Sequence, residues 1–460
     1  MNEQGNVVLA GLLAELDWSP RTLTRRINRL FGPGTVGETA AYHWRDEGRV
    51  PRPPLPALVA WVLTRELGRP VTATQLWQGR AADSPLTVPA TADLDAEWSR
   101  PATMNVLAQW LHAGLVDRRR FLAVSGTALT TFAASWRAEP ARLAAAVAGG
   151  QVDQALLTQI ETSVPLLQRL DDANGGGAHM AYVGAQFRAV ALLLHQGGHR
   201  TQTEQRLFAA LAEIGQLAGW MAFDAGDHGL AQRYFFTALR AAREARYEAM
   251  AAHILADLAF QLATCEQPGD AITLGHAAVQ AARRASPGVQ ASVRTRLAYG
   301  YAVAGRLDDF DTTYSDAFDL LASPGRPEPA WMYYLTPSHL ETQAGYALVH
   351  AATRADPADR RTLLHRGENL LRGRAHDFPI GDPSDRRALF EGAWLAVATA
   401  YQGDLEQACM IARTAVTRAT TVKSARSMDV LRLLSTRLHR AHRNEYVRDF
   451  LPQLDQALAS

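Results

Sequence analysis

The stretch Asp17–Arg52, DWSPRTLTRRINRLFGPGTVGETAAYHWRDEGRVPR, decides how the 460-residue chain is read. Ser19-Pro20 opens a helix, because Ser accepts from backbone N–H groups that lack a helical partner and Pro sets the helical φ. Leu23, Ile27 and Leu30 then share one face at helical spacing, with Arg21, Arg25, Arg26 and Arg29 on the others. Phe31-Gly32-Pro33-Gly34 stops this helix. The next helix is expected from near Gly37 or Glu38 to about Glu47. Gly48 ends it, and Val50-Pro51-Arg52-Pro53-Pro54 forbids continuation.

Outward from this stretch the pattern stays helical. Val8, Leu9, Leu12, Leu13 and Leu16 give a preceding helix. Leu55 to Leu67 gives an apolar fourth, closed by Gly68-Arg69-Pro70, and Thr72 caps a short fifth through Leu76 and Trp77. Residues 81–103 lose periodicity and gain Pro, Thr, Ala and Asp, the composition of a linker. Residues 104–138 read as helical again. Within them Arg118-Arg119-Arg120-Phe121-Leu122 resembles a twin-arginine export signal by accident, since it is internal and follows a complete domain.

Composition narrows the function classes. The chain is 47% hydrophobic and 20% charged, too long for one core, and without a transmembrane run. Two cysteines, Cys265 and Cys409, fit a reducing cytoplasmic setting and exclude a disulfide framework. Net charge is +1, and of 47 basic residues only Lys423 is lysine, which matches the codon bias of a GC-rich genome. Residues 1–80 nevertheless hold ten arginines against seven acids, four of the ten between Arg21 and Arg29.

From about residue 201 helix pairs repeat. In QLAGWMAFDAGDHGLAQRYFFTAL, Gly219, Gly226, Ala231, Phe235 and Ala238 alternate small and large at tetratricopeptide-like spacing. Ala271 and Ala278 recur 40 residues after Ala231 and Ala238, and Gly305 and Ala317 recur 79 residues after Gly226 and Ala238. Gly403, Ala408 and Ala415 mark another unit. Residues 155–200 and 340–375 read as degenerate units, and 424–459 as a terminal cap. Stacked units of this kind leave a concave groove lined by the first helix of each pair. Trp220, Phe260 and Tyr299 take equivalent inward positions, with Gln216, Phe223, Asp224 and His253 beside them. They serve either packing between repeats or a groove for a peptide or small molecule, and Trp331-Met332-Tyr333-Tyr334 admits the same two readings.

The expected fold is therefore all-α: a five-helix domain over 1–80, a linker over 81–103, a helical connecting region over 104–200 and a TPR-like α-solenoid over 201–460. Trp18–Thr24, Trp44 with Gly48, and Gly68–Thr72 together resemble the lambda-repressor-like helix-turn-helix family. The link between its second and third helices is about seven residues longer than that family's turn. The resemblance implies backbone contacts to DNA from Arg21 and Thr22 and base contacts from Thr39, Tyr42, His43 and Arg45. Arg25, Arg49 and Arg52 would add phosphate charge. Trp44 is read as core. The whole architecture resembles RRNPP-type regulators, and more closely the NsdA-type helix-turn-helix and repeat regulators of high-GC filamentous bacteria. That resemblance implies a transcription regulator of development or secondary metabolism, homodimerisation, double-stranded DNA as partner and a signal in the groove. A repeat scaffold whose N-terminal domain binds protein rather than DNA is the alternative.

No catalytic motif competes with these readings. His195 and His199 are separated by Gly197-Gly198 and lack a nearby carboxylate. Gly175-Gly176-Gly177 has no following Lys-Ser/Thr and reads as a flexible turn. The chain is expected to be a non-enzyme without a metal or cofactor.

Overall fold

The computed structural model describes residues 5–31, 35–52, 55–81, 96–112, 154–373 and 377–459. Twenty α-helices and no strand occur among these described residues. The first five are α1 (Val7–Glu15), α2 (Pro20–Phe31), α3 (Ala40–Asp46), α4 (Leu55–Leu67) and α5 (Ala73–Leu76). Buried Asn6 ties three of them together. Its side-chain oxygen accepts from Leu9 N–H to cap α1, its amide donates to Leu76 O at the end of α5, and its own N–H donates to Arg45 O on α3. Leaving such buried groups unpaired would cost about 1–3 kcal/mol each. Trp44 is buried and meets Trp77 edge-to-face at 6.1 Å.

The link between α2 and α3 is anchored by Asn28, which donates to Val36 O and accepts from Val36 N–H, both at 2.9 Å. α3 begins at Ala40, after a turn at residues 38 and 39, and so is shorter than the sequence implies. Gly48 takes a left-handed φ of 65°, where a Cβ is disfavoured, and the helix ends before it. Thr72 and Gln75 form the reciprocal cap of α5.

Helix α6 (Arg100–His112) starts inside the stretch read as a linker. The basic motif at 118–122 lies outside the described residues. From residue 154 the helices form successive hairpins: α7 (Gln154–Asn174) with α8 (Gly176–Gln196), α9 (Thr201–Asp224) with α10 (His228–Glu244), and α11 (Glu248–Thr264) with α12 (Pro268–Ala281). Then come α13 (Pro287–Val303) with α14 (Leu307–Ala322), and α15 (Pro337–Ala352) with α16 (Pro357–Leu371). Last are α17 (Asp385–Gln402) with α18 (Leu405–Ala419), and α19 (Ala425–His439) with α20 (Glu445–Ala459). The residues before α6 explain its early start. Arg240 of α10 donates to Glu97 O and Ala96 O and lies 4.5 Å from the Trp98 ring, so the chain is docked before α6 begins.

The repeat residues behave as close-packing positions. Ala231, Phe235, Ala238, Ala271, Ala278, Ala317, Ala408 and Ala415 are all buried. A Cβ on Gly219 would lie 2.6 Å from the Phe235 ring, so only glycine lets α9 and α10 approach this closely.

The solenoid differs from an open groove in one respect: it closes. First helices stack in the order α9, α11, α13, α15, α17, α19, and α19 returns to α9, while α7 packs on both α9 and α17. The seam carries backbone bonds from Lys423 N–H to Asn174 O (2.8 Å) and from Gly177 N–H to Lys423 O (3.1 Å). The triple glycine makes this possible. A Cβ on Gly176 would sit 2.1 Å from Met221 O, and one on Gly175 2.8 Å from Lys423 O. What reads in sequence as a flexible turn is thus a tight backbone junction.

Candidate functional site

Closure of the ring encloses a chamber of about 320 Å³. Its walls come from α7, α9, α11, α13, α15, α17 and α19, and from the insertion between α14 and α15. The insertion lengthens the spacing of first helices from 39 residues (248 to 287) to 50 (287 to 337). It contributes Trp331, Tyr333 and Tyr334, whose rings enter the chamber.

Of the sequence-derived groove residues, Gln216, Trp220 and His253 line this chamber. Phe223, Asp224, Phe260 and Tyr299 lie behind the wall. Phe223 and Phe260 are buried beneath Trp220, at ring distances of 5.6 and 6.0 Å. Tyr299 is turned to His350, its hydroxyl 2.7 Å from Nδ1. Asp224 is consumed by the seam, where it accepts from Gly176 N–H, Ser424 Oγ and Arg426 Nε. Trp220 packs on Phe260 of the neighbouring repeat and also faces cations: the guanidiniums of Arg296, Arg386 and Arg426 lie 5.3, 5.8 and 5.1 Å from its ring.

The residues sequence reasoning missed are the charged ones. Arg386 Nη2 donates to Asp172 at 2.7 Å and lies 3.3 Å from Asp171 Oδ2, while its Nε donates to Asp171 O. Burial pushes the Asp171 carboxyl up to about 7; Arg386 opposes the rise, and Asp224 and Asp172 add to it. Across the chamber Asp257 accepts from Gln216 Nε2 at 2.7 Å and stands 3.7 Å from His253 and 3.9 Å from Arg296. His253 stacks on Trp331 at 4.7 Å, and burial holds its ring below the usual imidazole range. Arg387 donates to Glu391, which also accepts from Thr342. Tyr333 is half-exposed and donates to Asp172 across the rim. In sequence these groups are spread over 171–426 at no motif spacing. Ring closure is what brings Asp171 and Asp172 to Arg386.

In the N-terminal domain, Arg21, Arg25, Thr39, Tyr42, Arg49 and Arg52 are exposed, and Thr22, His43 and Arg45 are half-buried. Thr22 Oγ1 bonds Ser19 Oγ at 2.9 Å and accepts from Arg25 at 3.4 Å. The α3 cations are internally paired. Arg45 grips Asp46 through Nε (2.6 Å) and Nη2 (3.0 Å), His43 Nδ1 meets Glu47 at 2.7 Å, and Arg49 meets Glu47 at 2.6 Å. Among the described residues, Arg21, Arg25, Arg29 and Arg52 have no acidic partner.

Residues 9–76 match a family model described as SP15 N-terminal domain. The match spans α1 to α5 and leaves the ring outside it. No curated protein matches the chain. Among the described residues no helix is long and apolar enough to cross a membrane, and no cluster of His, Cys, Asp and Glu is set to hold a metal ion.

Proposed function

We propose that the chain is a cytoplasmic DNA-binding transcription regulator whose N-terminal domain meets the duplex and whose ring holds a signal. The observation that carries this reading is the α2 face. Arg21, Arg25 and Arg29 are exposed, free of acidic partners among the described residues, and one to two turns apart on one short helix. Such a row of guanidiniums is suited to phosphate oxygens. A regulator of this kind reads two half-sites, so the reading includes a homodimer. It needs no catalytic residue.

The test is genome-wide mapping of duplex retained by the full chain, followed by affinity measurements on mapped and random duplexes. Preference for the mapped sites supports the reading; equal affinity for both, with no enriched sites in the cell, removes it.

A second reading is a scaffold whose N-terminal domain binds protein. It is favoured by the acids Asp46 and Glu47, which occupy the cations of α3 where base contacts would be made. A partner retained through the ring, with no enriched duplex, would select it.

A further inference from the structure

The charges at the seam side of the chamber do not cancel once Asp224, behind the wall, is counted with the lining residues Asp171 and Asp172. At the seam, Asp171, Asp172 and Asp224 face only two guanidiniums, Arg386 and Arg426. On the opposite wall Asp257 and Glu391 are matched by Arg296 and Arg387, and burial keeps His253 and His339 below the usual imidazole range. One carboxylate is left over, in a place where an uncompensated charge is costly.

The unpartnered atoms point the same way. Asp171 is 2% exposed and Asp257 1%, yet Asp171 Oδ1 and Asp257 Oδ1 accept no hydrogen bond, and neither does Gln168 Oε1. All three residues line the chamber. Against these three acceptors stand Arg296 Nε, a donor, and His339 Nδ1, which likewise has no hydrogen-bond partner. Gln168 and Asp171 are three apart on α7 and so share a face. Around them Trp220, Trp331, Tyr334, Tyr346 and Phe390 supply flat, largely apolar walls. A chamber of about 320 Å³ is at the small end of ligand sites, roughly 300–1,000 Å³, a size that suits a small molecule better than a length of peptide.

We propose that the chamber binds a small protonated amine on a flat or apolar body, its ammonium held by Asp171 and Gln168 on α7 and its body between the aromatic walls. This names the class of signal for the ring and rests on the reading that the ring holds one. The ammonium supplies the missing positive charge and donates to acceptors that otherwise have none. The aromatic faces add cation–π attraction. A carboxylate placed at Asp171 and Gln168 would instead add to the excess of negative charge at the seam. The raised Asp171 carboxyl fits the same arrangement, because a proton on Asp171 does what a bound ammonium would do. Binding near neutral pH therefore releases a fraction of a proton. The groups that govern this release are Asp172 on the same helix, Asp224 on α9, Arg386 on α17, Arg426 on α19 and Tyr333 at the rim.

The experiment is titration calorimetry of the full chain, without DNA, using phenethylamine, tyramine and butylamine. Phenylpropionate serves as the anion of matched body, and each titration is run in two buffers of different ionisation heat. At least one amine is expected to bind, about tenfold or more tighter than phenylpropionate, with a buffer-dependent heat that reports proton release. Asp171→Asn, equal in size, should weaken it about tenfold and abolish the buffer dependence; Gln168→Leu, at a half-buried position, should weaken it several-fold. If Asp171→Asn does not keep its helical circular dichroism, the Gln168→Leu result decides. Failure of all three amines overturns the proposal, as does phenylpropionate binding as tightly as the amines, or affinity unchanged in the variants. DNA retention is scored separately. Amine binding lost with DNA binding intact removes only this proposal, and the reverse removes only the regulator reading.

Discussion

Asp224 and Arg426 stand 202 residues apart in sequence and 3.1 Å apart in space, and this bond closes the ring. Arg426 is buried, with its guanidinium 4.0 Å from the centre of the Phe390 ring. Asp224 is fully buried and also accepts from Gly176 N–H and Ser424 Oγ. Removing one member of such a pair strands the other in a dry site. Asp224→Ala is therefore expected to lower stability by about 3–5 kcal/mol. It should also open the ring, seen as a larger radius in small-angle scattering. Denaturant unfolding measures the first effect; a loss below about 1 kcal/mol would mean that the seam is held by other contacts.

Backbone proximity at the seam gives a separate expectation. Gly176→Ala places a methyl group 2.1 Å from Met221 O, a backbone atom that cannot rotate aside. The seam must shift, at a cost of about 1–3 kcal/mol or more. Gly11→Ala is the matched control. Gly11 lies exposed on α1 with nothing within 4 Å of its Cβ position, so the substitution should stabilise by roughly 0.5–1 kcal/mol. Comparing the two variants by thermal unfolding separates crowding from helix propensity.

Asp171 sets a pH dependence with a defined sign. Its carboxyl sits at about 7 in the folded chain, against an ordinary value near 3.9. Between about pH 4 and pH 7 the folded state holds a proton that the unfolded chain has released. The contribution is present in full below pH 4 and falls as pH rises to about 7, at up to ~1.4 kcal/mol per unit. Buried His253, His339 and His350 act oppositely, since burial lowers their affinity for protons and their contribution fades as pH falls below about 6.5. Glu213, also raised to about 7, adds to the Asp171 trend. The quantity to measure is thus the difference between the parent and Asp171→Asn across pH 4 to 8. It should slope downward to pH 7 and be flat above.

What was legible in the sequence follows from the range over which each signal acts. Caps and breakers are local, so Ser19-Pro20, Gly48, Leu55–Leu67 and the Thr72 cap correspond to observed helix ends. Small–large alternation is nearly local, so Gly219 and Phe235 mark the helix hairpin in the sequence itself. Closure was not legible. It depends on the summed curvature of the successive hairpins, and no residue encodes that sum. Gly175–Gly177 and Ser424–Arg426 look ordinary apart and become complementary only when brought together. The chamber shared that fate. Aromatic positions on first helices located Trp220 and His253, but Asp171, Arg386 and Arg426 come from opposite ends of the solenoid.

Among the described residues of the N-terminal domain, free guanidiniums lie on α2 rather than on α3, which reorders the residues expected to meet DNA. Arg45 is held on both sides of its guanidinium by Asp46, at 2.6 and 3.0 Å, so its donors are occupied by a carboxylate rather than free for a phosphate. Arg21 and Arg25 have no such partner among the described residues. If α2 meets phosphates, Arg21→Ala and Arg25→Ala should each weaken duplex binding about equally on all sequences. Each should also reduce the slope of log affinity against log salt by about 0.9. Arg45→Ala, which leaves the Asp46 carboxylate unpaired, should weaken binding only through that added charge and leave the salt slope unchanged, whereas Asp46→Asn frees the Arg45 fork and should tighten binding. Fluorescence anisotropy over a salt series measures all four. A loss confined to Arg45→Ala, with the α2 variants unchanged, would return the contact to α3 and take the phosphate role away from Arg21 and Arg25.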